Sequence, residues 1–229
     1  MKQSEKDSRC TLRTPRVAQL IERLYEDVQA NAAKKEEVFG GMSEKERAEF
    51  SSTSPDDYRK AYGRAKELYL AVAPQTAHLL YMQARSMNAH TIVEFGTSFG
   101  FSTIHLAAAL RDNGGGQVIG TEFEPDKIEQ AYANLREAGL EDLVDLREGD
   151  ALETLARDLP GKVDLVLMDG HKPLYPKVLE LLRPKLRQGA CLIADNASSN
   201  EEYLNRVRAA DGDFLSVPYE GDVEISIKL

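Results

Sequence analysis

The stretch TIVEFGTSFGFSTIHLAAAL, residues 91–110, places a short apolar run before a glycine-spaced turn and an alanine-rich segment. An acidic residue, Glu94, stands near the end of the apolar run. In an open α/β sheet, ligands bind beyond the carboxyl ends of the strands. The turn from Glu94 to Gly100 is therefore a candidate ligand site, and an ordinary tight turn between a strand and a helix is the alternative.

The alternation of apolar runs and helical segments continues along the rest of the chain. Apolar runs that predict strands lie at 91–95, 117–122, 143–147, 163–168 and 190–194. Helices are predicted between them at about 101–111, 125–138, 151–158 and 173–187. This alternation predicts a mostly parallel sheet with helices on both faces. The final stretch, DFLSVPYE-GD-VEISIKL, predicts an antiparallel hairpin with Gly221 and Asp222 in its turn, which brings the total to seven strands.

Residues 1–90 are predicted to be helical. Thr14-Pro15 opens a helix whose apolar residues are spaced three and four apart: Val17, Leu20, Ile21, Leu24 and Val28. Further helices are predicted from Ser43, from Asp56 through Tyr62, and over 74–87. We predict a helical extension at 1–70, which covers a substrate or makes a homodimer contact, followed by a ligand-binding domain at 71–229.

Composition and charge exclude several classes of protein. The chain has a net charge of −9, in which residues 71–229, with 15 basic and 25 acidic side chains, carry −10 and residues 1–70 carry +1. Such a surface repels phosphate backbones, so a small molecule is expected as the partner and a nucleic acid is not. No apolar run is long enough for a membrane span. The polar start MKQSEKDSRC lacks a signal-peptide core, which predicts a cytoplasmic protein, and the two cysteines, Cys10 and Cys191, suggest neither a disulfide framework nor a cysteine metal site.

Two more acidic residues follow strands at the same edge of the predicted sheet. Glu122 ends the second run, where a carboxylate can accept both hydroxyls of a ribose. Asp150 follows the third run and is placed to accept from an adenine amino group, with Ala151 supplying backbone. Each alone could be an ordinary helix N-cap, but three carboxylates in register favour a ligand contact. The G-x-x-x-G spacing of the first turn and the charge of Glu94 disfavour a dinucleotide-dependent oxidoreductase.

The fourth and fifth runs end in Met168-Asp169-Gly170-His171-Lys172 and Ala194-Asp195-Asn196. Two carboxylates and an amide oxygen at neighbouring strand ends form a hard oxygen site that suits Mg²⁺, Mn²⁺ or Ca²⁺. For Asp195-Asn196 taken alone, a turn with a side-chain cap is the alternative.

Five motifs in this order, VEFGTSFGFS, GTEFEPDKIEQA, GDA, DLVLMDGHK and CLIADNA, resemble the class I S-adenosylmethionine-dependent methyltransferases. More closely, they are similar to the catechol and caffeoyl-CoA O-methyltransferase group. The resemblance covers about residues 70–229 and implies a Rossmann-like class I methyltransferase fold over residues 71–229. It also implies transfer of a methyl group from S-adenosylmethionine to a hydroxyl of a catechol-like or phenolic small molecule. This acceptor would chelate a divalent metal, with Mg²⁺ the first candidate.

The resemblance implies a role for each matching position. The cofactor would meet Val72, Glu94, Gly96, Thr97, Ser102, Glu122, Asp150, Ala151 and Asp169. In that set Ser102 would bond the methionine carboxylate, and Glu94 would face the amino-acid end of the cofactor directly or through water. Asp169, Asp195 and Asn196 would hold the metal, and Lys172 would be the catalytic base beside Asp169.

Alternatives stay open at this point. Lys172 could be a solvated lysine in a loop, and His171 differs from the acidic or aromatic residue that relatives often carry there. Asn200 falls in a loop where relatives contact substrate. A metal-independent or nitrogen-directed methyltransferase, and a cofactor-binding protein without catalysis, are the competing functions.

Overall fold

The computed structural model describes residues 10–229. The polar stretch 1–9, on which the predicted cytoplasmic location rests, lies outside the described residues. Seven strands form one sheet in the order β3-β2-β1-β4-β5-β7-β6. They are β1 (Thr91–Phe95), β2 (Gln117–Glu122), β3 (Val144–Glu148), β4 (Val163–Met168), β5 (Leu186–Ala194), β6 (Phe214–Tyr219) and β7 (Val223–Lys228). Strands β1 to β5 are parallel, and β7 pairs antiparallel with both β5 and β6, which confirms the predicted fold class.

Ten α-helices surround the sheet within the described part of the chain. They are α1 (Pro15–Ala30), α2 (Ala32–Gly40), α3 (Glu44–Phe50), α4 (Pro55–Arg64), α5 (Pro74–Ser86), α6 (Phe101–Asp112), α7 (Pro125–Ala138), α8 (Ala151–Thr154), α9 (Tyr175–Leu182) and α10 (Glu201–Val207). Several begin at a proline, which fits the first turn because its missing N–H has no partner there. None of these helices is long and apolar enough to cross a membrane.

Two predicted helices were wrong in their bounds. The helix predicted over 173–187 ends at Leu182, and a short 3-10 turn that contains Pro184 leads directly into β5 at Leu186. Proline cannot continue the backbone hydrogen-bond ladder of a helix, which accounts for the early end. The helix predicted over 151–158 is the single turn α8, which ends at Thr154.

The sheet is packed on both faces. Neighbouring residues of a strand point to opposite sides, so Ile92 of β1 joins the core under α5, α6 and α7, whereas Val93 joins the core under α8, α9 and α10. Helix α1 adds Val17, Leu20 and Leu24 to the core of Ile92. The apolar face of α1 is therefore covered by the same chain.

One close backbone approach shapes the edge of the sheet where the strands end. Gly96, with φ +95°, follows β1, and a side chain added there would lie 2.7 Å from the backbone of Gly170 after β4. A side chain on Gly170 would in turn lie 2.5 Å from the ring of Phe95. Because neither position has room for a Cβ atom, the first turn and the loop after β4 lie against each other.

Candidate functional site

A cavity of about 390 Å³ lies beyond the carboxyl ends of the strands. Eight of the residues predicted for the site line it: Gly96, Glu122, Asp150, Ala151, Asp169, Lys172, Asp195 and Asn196. Thr97 and Ser102 instead line a smaller cleft that adjoins the cavity at Gly96 and Ser98. Val72 is 2% exposed in the core and lines neither space, although its neighbours Leu70 and Ala71 line both.

The Glu94 carboxylate is fully buried and lines neither space. It accepts three hydroxyl hydrogen bonds, from Thr97 at 2.9 Å, Ser102 at 2.7 Å and Thr103 at 2.6 Å. Burial raises its pKa to about 7, although the three hydroxyls oppose this rise. In this structure Glu94 therefore holds the side chains that line the smaller cleft.

Glu122 and Asp150 face the cavity and also organise the backbone around it. The Glu122 carboxylate accepts the N–H groups of Ser98, Phe123 and Glu124 at 2.9, 2.8 and 3.1 Å. This arrangement fixes the turn after β1 to the end of β2.

Asp150 caps α8 through the N–H of Leu152 at 2.8 Å. Its other carboxylate oxygen accepts the hydroxyl of Tyr58, which comes from α4. A side chain of the N-terminal helices thus bonds a residue of the predicted adenine site.

Asp169 and Asp195 lie at the neighbouring ends of β4 and β5, and the Asp195 N–H donates to Met168 at 2.9 Å. Lys172 Nζ donates to Asp169 Oδ1 at 2.7 Å. Burial raises the pKa of Asp169 against the effect of Lys172. It raises the pKa of Asp195 to about 7, and the negative charge of Asp169 adds to that rise. Two carboxylates that repel each other in a mostly buried cavity favour a bound cation.

The donor set fits a hard divalent cation. It consists of two carboxylates and the amide oxygen of Asn196, which stands in the left-handed region at φ 49° next to Asp195. Within residues 10–229 no three His, Cys, Asp or Glu side chains come together in a cluster that could hold a metal. The amide is therefore essential to the predicted ligand set.

Two residues hold this part of the edge in place. The Tyr175 hydroxyl lies 2.6 Å from the Met168 carbonyl and 2.9 Å from the Asp195 carbonyl, so it ties the ends of β4 and β5 together. The Asn200 side chain donates to the Lys172 carbonyl at 3.0 Å and caps α10. The structure thus places Asn200 as a support for the Lys172 loop.

A family model described as a methyltransferase domain matches residues 93–197, which include the carboxyl ends of all five parallel strands and the turn after β1. A "Putative O-methyltransferase" of Mycobacterium sp. (strain JLS) is 33% identical over 152 residues, which cover 61% of this chain and 67% of that protein. The chain belongs to the class I S-adenosylmethionine-dependent O-methyltransferases.

Other relatives agree with this family. The catechol O-methyltransferase of Niastella koreensis is 32% identical over 139 residues, which cover 59% of this chain and 62% of that protein. The match thus spans about three fifths of that relative. The O-methyltransferase TomG of Streptomyces achromogenes, solved in complex with S-adenosylmethionine, superposes with a TM-score of 0.62 at 27% identity and covers 82% of this chain and 99% of its own.

The N-terminal helices of this O-methyltransferase family member form an aromatic wall of the cavity that the sequence did not predict. Its members are Phe39, Phe50, Tyr58 and Tyr62. His171 and Phe123 line the same cavity beside Tyr58 and Tyr62. Tyr62 lies 5.2 Å from Phe50 and 5.4 Å from His171 between ring centroids. The spacing of Tyr58 and Tyr62, four apart on one helix face, is the signal in the sequence that could have indicated this wall.

His171 joins the wall to the loop after β4. Its Nε2 lies 2.6 Å from the Ser52 carbonyl, and since a carbonyl only accepts, Nε2 carries the proton. Its ring lies 5.0 Å from Tyr58. Because Nε2 is occupied and burial lowers the pKa of His171, the residue serves as an anchor for the segment before α4.

Proposed function

We propose that this chain transfers the methyl group of S-adenosylmethionine to a hydroxyl oxygen of a small phenolic or catechol-like molecule. The observation that carries the proposal is the single cavity onto which Glu122, Asp150, Asp169 and Asp195 all open at the strand ends. The family of the chain supports the cofactor and the oxygen acceptor. The names of the catechol O-methyltransferase relatives support the class of acceptor.

The first half of the edge would bind the cofactor. Glu122 is suited to the ribose hydroxyls, and Asp150 with Ala151 borders the adenine. Gly96 lets the backbone of the first turn pass close to the methionine end. Together these residues would aim the methyl group at the space beside Asp169.

Asp169, Asp195 and Asn196 would hold a divalent cation, Mg²⁺ before Mn²⁺ or Ca²⁺. When bound there, such a cation would make a hydroxyl proton of the acceptor easier to remove. Lys172, in its neutral form, would receive that proton at Nζ. The acceptor oxygen then forms a bond to the methyl carbon while the bond from carbon to the sulfonium sulfur breaks, and S-adenosylhomocysteine leaves as a neutral thioether.

The aromatic wall supports a planar acceptor. The rings of Phe39, Phe50 and Tyr62 follow one another at 5.4 and 5.2 Å between centroids, and all three line the cavity that Asp169 also lines. Burial, then Asp169 and Glu122, raise the pKa of Tyr62, so its ring stays neutral. We propose that residues 32–64 cover the mouth of the acceptor site and exclude water from the reaction.

The ion pair of Lys172 with Asp169 favours one alternative, a metal-independent methyl transfer in which this pair alone removes the proton. A methylation assay separates the two. Catechols, simple phenols and aromatic amines are incubated with S-adenosylmethionine, with added Mg²⁺ or with chelator, and products are identified by mass spectrometry. Chelator-sensitive methylation of a catechol hydroxyl supports the proposal, and methylation of amines only, or of none of them, contradicts it.

A further inference from the structure

Lys127 is a buried cation at the edge of the cavity, and neither the family motifs nor the proposed function gives it a role. It lies in the first turn of α7, is 4% exposed and lines the large cavity. Its ammonium nitrogen lies 5.3 Å from the centre of the Phe99 ring, and that ring stacks on Tyr69 at 4.2 Å. The ammonium group therefore lies over an aromatic ring that is itself packed against a second ring.

The buried ammonium has few partners. Among residues 10–229 its one hydrogen bond is a long one, 3.5 Å to the Ser98 hydroxyl, and no carboxylate lies within 4.0 Å of it. The charges of Glu122 and Glu124 act on it, and they oppose the lowering of the Lys127 pKa that burial causes. Burial of an ammonium group costs several kcal/mol unless an opposite charge meets it closely. The site is therefore suited to an anionic ligand.

The position of Ser98 shows where such an anion would lie. Ser98 lines both the large cavity and the smaller cleft, at the junction between them. The cleft is the space beside Gly96, Thr97 and Ser102, where the methionine end of the cofactor is expected. Lys127 thus stands where the adenosine part of the ligand would pass into the amino-acid part.

The donors in the cleft are already used. A hydroxyl has a single proton to donate, and those of Thr97 and Ser102 are both given to Glu94. Ser102 was the residue assigned to the methionine carboxylate. With its hydroxyl bonded to Glu94, Ser102 is an uncharged contact for a carboxylate, whereas Lys127 offers three N–H groups and a positive charge.

We propose that Lys127 Nζ binds the α-carboxylate of the methionine moiety of S-adenosylmethionine and of the product S-adenosylhomocysteine. The proposal rests on the proposed function, because it names the contact of one group of that cofactor. The α-ammonium group of the same moiety lies on the far side, since it repels Lys127. The long contact with Ser98 shortens or is replaced when the carboxylate arrives.

The test compares two ligands that differ only in the amino-acid part. Isothermal titration calorimetry is carried out with S-adenosylhomocysteine and with 5′-methylthioadenosine, which keeps the adenosine and the sulfur but has neither carboxylate nor ammonium group. We expect Lys127→Met to weaken S-adenosylhomocysteine about 10- to 100-fold, the range for a lost hydrogen bond between charged groups. Affinity for 5′-methylthioadenosine should change less than about 3-fold, and Lys127→Arg should retain most of the affinity for both.

Two further variants serve as a matched control and as a replacement for Lys127→Met. Lys66→Met, at an exposed lysine that lies 3.9 Å from Asp126, is the matched control and should change neither affinity. Lys127→Gln, which keeps a polar side chain without the charge, should give the same ligand-selective loss and replaces Lys127→Met if that variant fails to fold. Thermal unfolding of each variant is measured beside the titrations.

Equal weakening of both ligands would overturn the proposal, since Lys127 would then act on the adenosine part or on the shape of the cavity. No weakening of either ligand by Lys127→Met or Lys127→Gln would overturn it as well. Failure of the wild-type chain to bind S-adenosylhomocysteine at all would instead remove the proposed function, and the present proposal with it.

Discussion

The carboxylates at the carboxyl ends of β1–β3 and those at the ends of β4 and β5 differ in their hydrogen-bond partners. At the ends of β1, β2 and β3, Glu94, Glu122 and Asp150 each accept two or three hydrogen bonds from hydroxyl or backbone donors. At the ends of β4 and β5, Asp169 bonds Lys172, and within the described residues the Asp195 carboxylate has no hydrogen-bond partner. Satisfied carboxylates fix the shape of a site, whereas under-satisfied ones repel each other and favour a ligand with positive charge. We therefore expect changes on the β4–β5 side to alter the reaction and changes on the β1–β3 side to alter binding and stability.

The largest effect is expected from Asp195→Ala. It removes one of the two carboxylates proposed to hold the cation, so acceptor orientation and hydroxyl acidification fail together. Turnover of a catechol should fall by at least about 10⁴-fold, because a Lewis-acid contribution amounts to several kcal/mol. Methyl transfer is measured with and without chelator, and Asp142→Ala, at an exposed carboxylate, is the control. Full activity of Asp195→Ala that chelator does not reduce would show that no metal site exists here.

Lys172→Ala should lower turnover by about 10³-fold while cofactor binding stays unchanged, as expected for the loss of a positioned base. Raising the pH should restore part of the activity, because the acceptor hydroxyl then ionises without help. The measurement is a profile of turnover against pH, with Lys177→Ala, at an exposed lysine of α9, as the control. A uniform loss at every pH would mean that Lys172 acts only by pairing with Asp169.

On the other half of the edge, Glu122→Ala should weaken S-adenosylmethionine by about 1–3 kcal/mol, the range for a lost hydrogen bond to a charged acceptor. Calorimetry measures this, and Glu129→Ala, at an exposed position of α7, is the control. Tight binding of NAD⁺ without binding of S-adenosylmethionine would contradict the cofactor assignment altogether.

Glu94 should make the free energy of unfolding depend on pH. Burial raises its pKa from 4.5 to about 7, so the folded chain keeps a proton that the unfolded chain releases between these values. The free energy of unfolding should therefore fall as the pH rises from about 4.5 to 7. Glu94→Gln should flatten this slope by up to about 1.4 kcal/mol per pH unit, measured by urea unfolding. Asp195 titrates in the same window, so some slope stays in the variant, and an unchanged slope would contradict the assignment to Glu94.

The smallest effect is expected from the contact between the N-terminal helices and the edge. Tyr58→Phe removes the hydroxyl that donates to Asp150 and should lower the free energy of unfolding by about 1 kcal/mol. The expected loss is small for a hydrogen bond to a charged group, because the Asp150 carboxylate keeps its bond from the Leu152 N–H and lies 4.0 Å from Arg59. Tyr62→Phe is the matched control, since the Tyr62 hydroxyl has no hydrogen-bond partner within residues 10–229. An equal loss from both variants would show that the bond from Tyr58 to Asp150 makes no specific contribution to stability.

The positions of the strands along the chain and the residues at their ends could be predicted from local patterns. Alternation of apolar runs and helices located all seven strands, and the turn motifs put Glu122, Asp150, Asp169 and Asp195 at one edge. The predicted end of the helix over 173–187 was wrong because the apolar pattern continues past Pro184, a residue that ends helices.

The contacts made by side chains across the fold could not be predicted. Tyr58 bonds a residue 92 positions away and His171 bonds one 119 positions away, and no local pattern records such pairs. For the same reason the bond from the Ser102 hydroxyl to Glu94 could not be predicted, and the contact of Ser102 with the cofactor carboxylate stays a prediction. The N-terminal aromatic wall lies in the part of the chain that the family motifs do not cover.

The bond between Ser52 and His171 also has a consequence for the order in which the chain is built. Residues 32–64 leave the ribosome long before the loop after β4 exists, so their aromatic faces have no surface to pack on during that interval. Closing so long a loop costs entropy before any contact forms, which makes the docking of these helices a late step of folding. Residues 32–64 are thus synthesised before the loop on which they dock, and the cavity stays open on that side until β4 and the loop after it are in place.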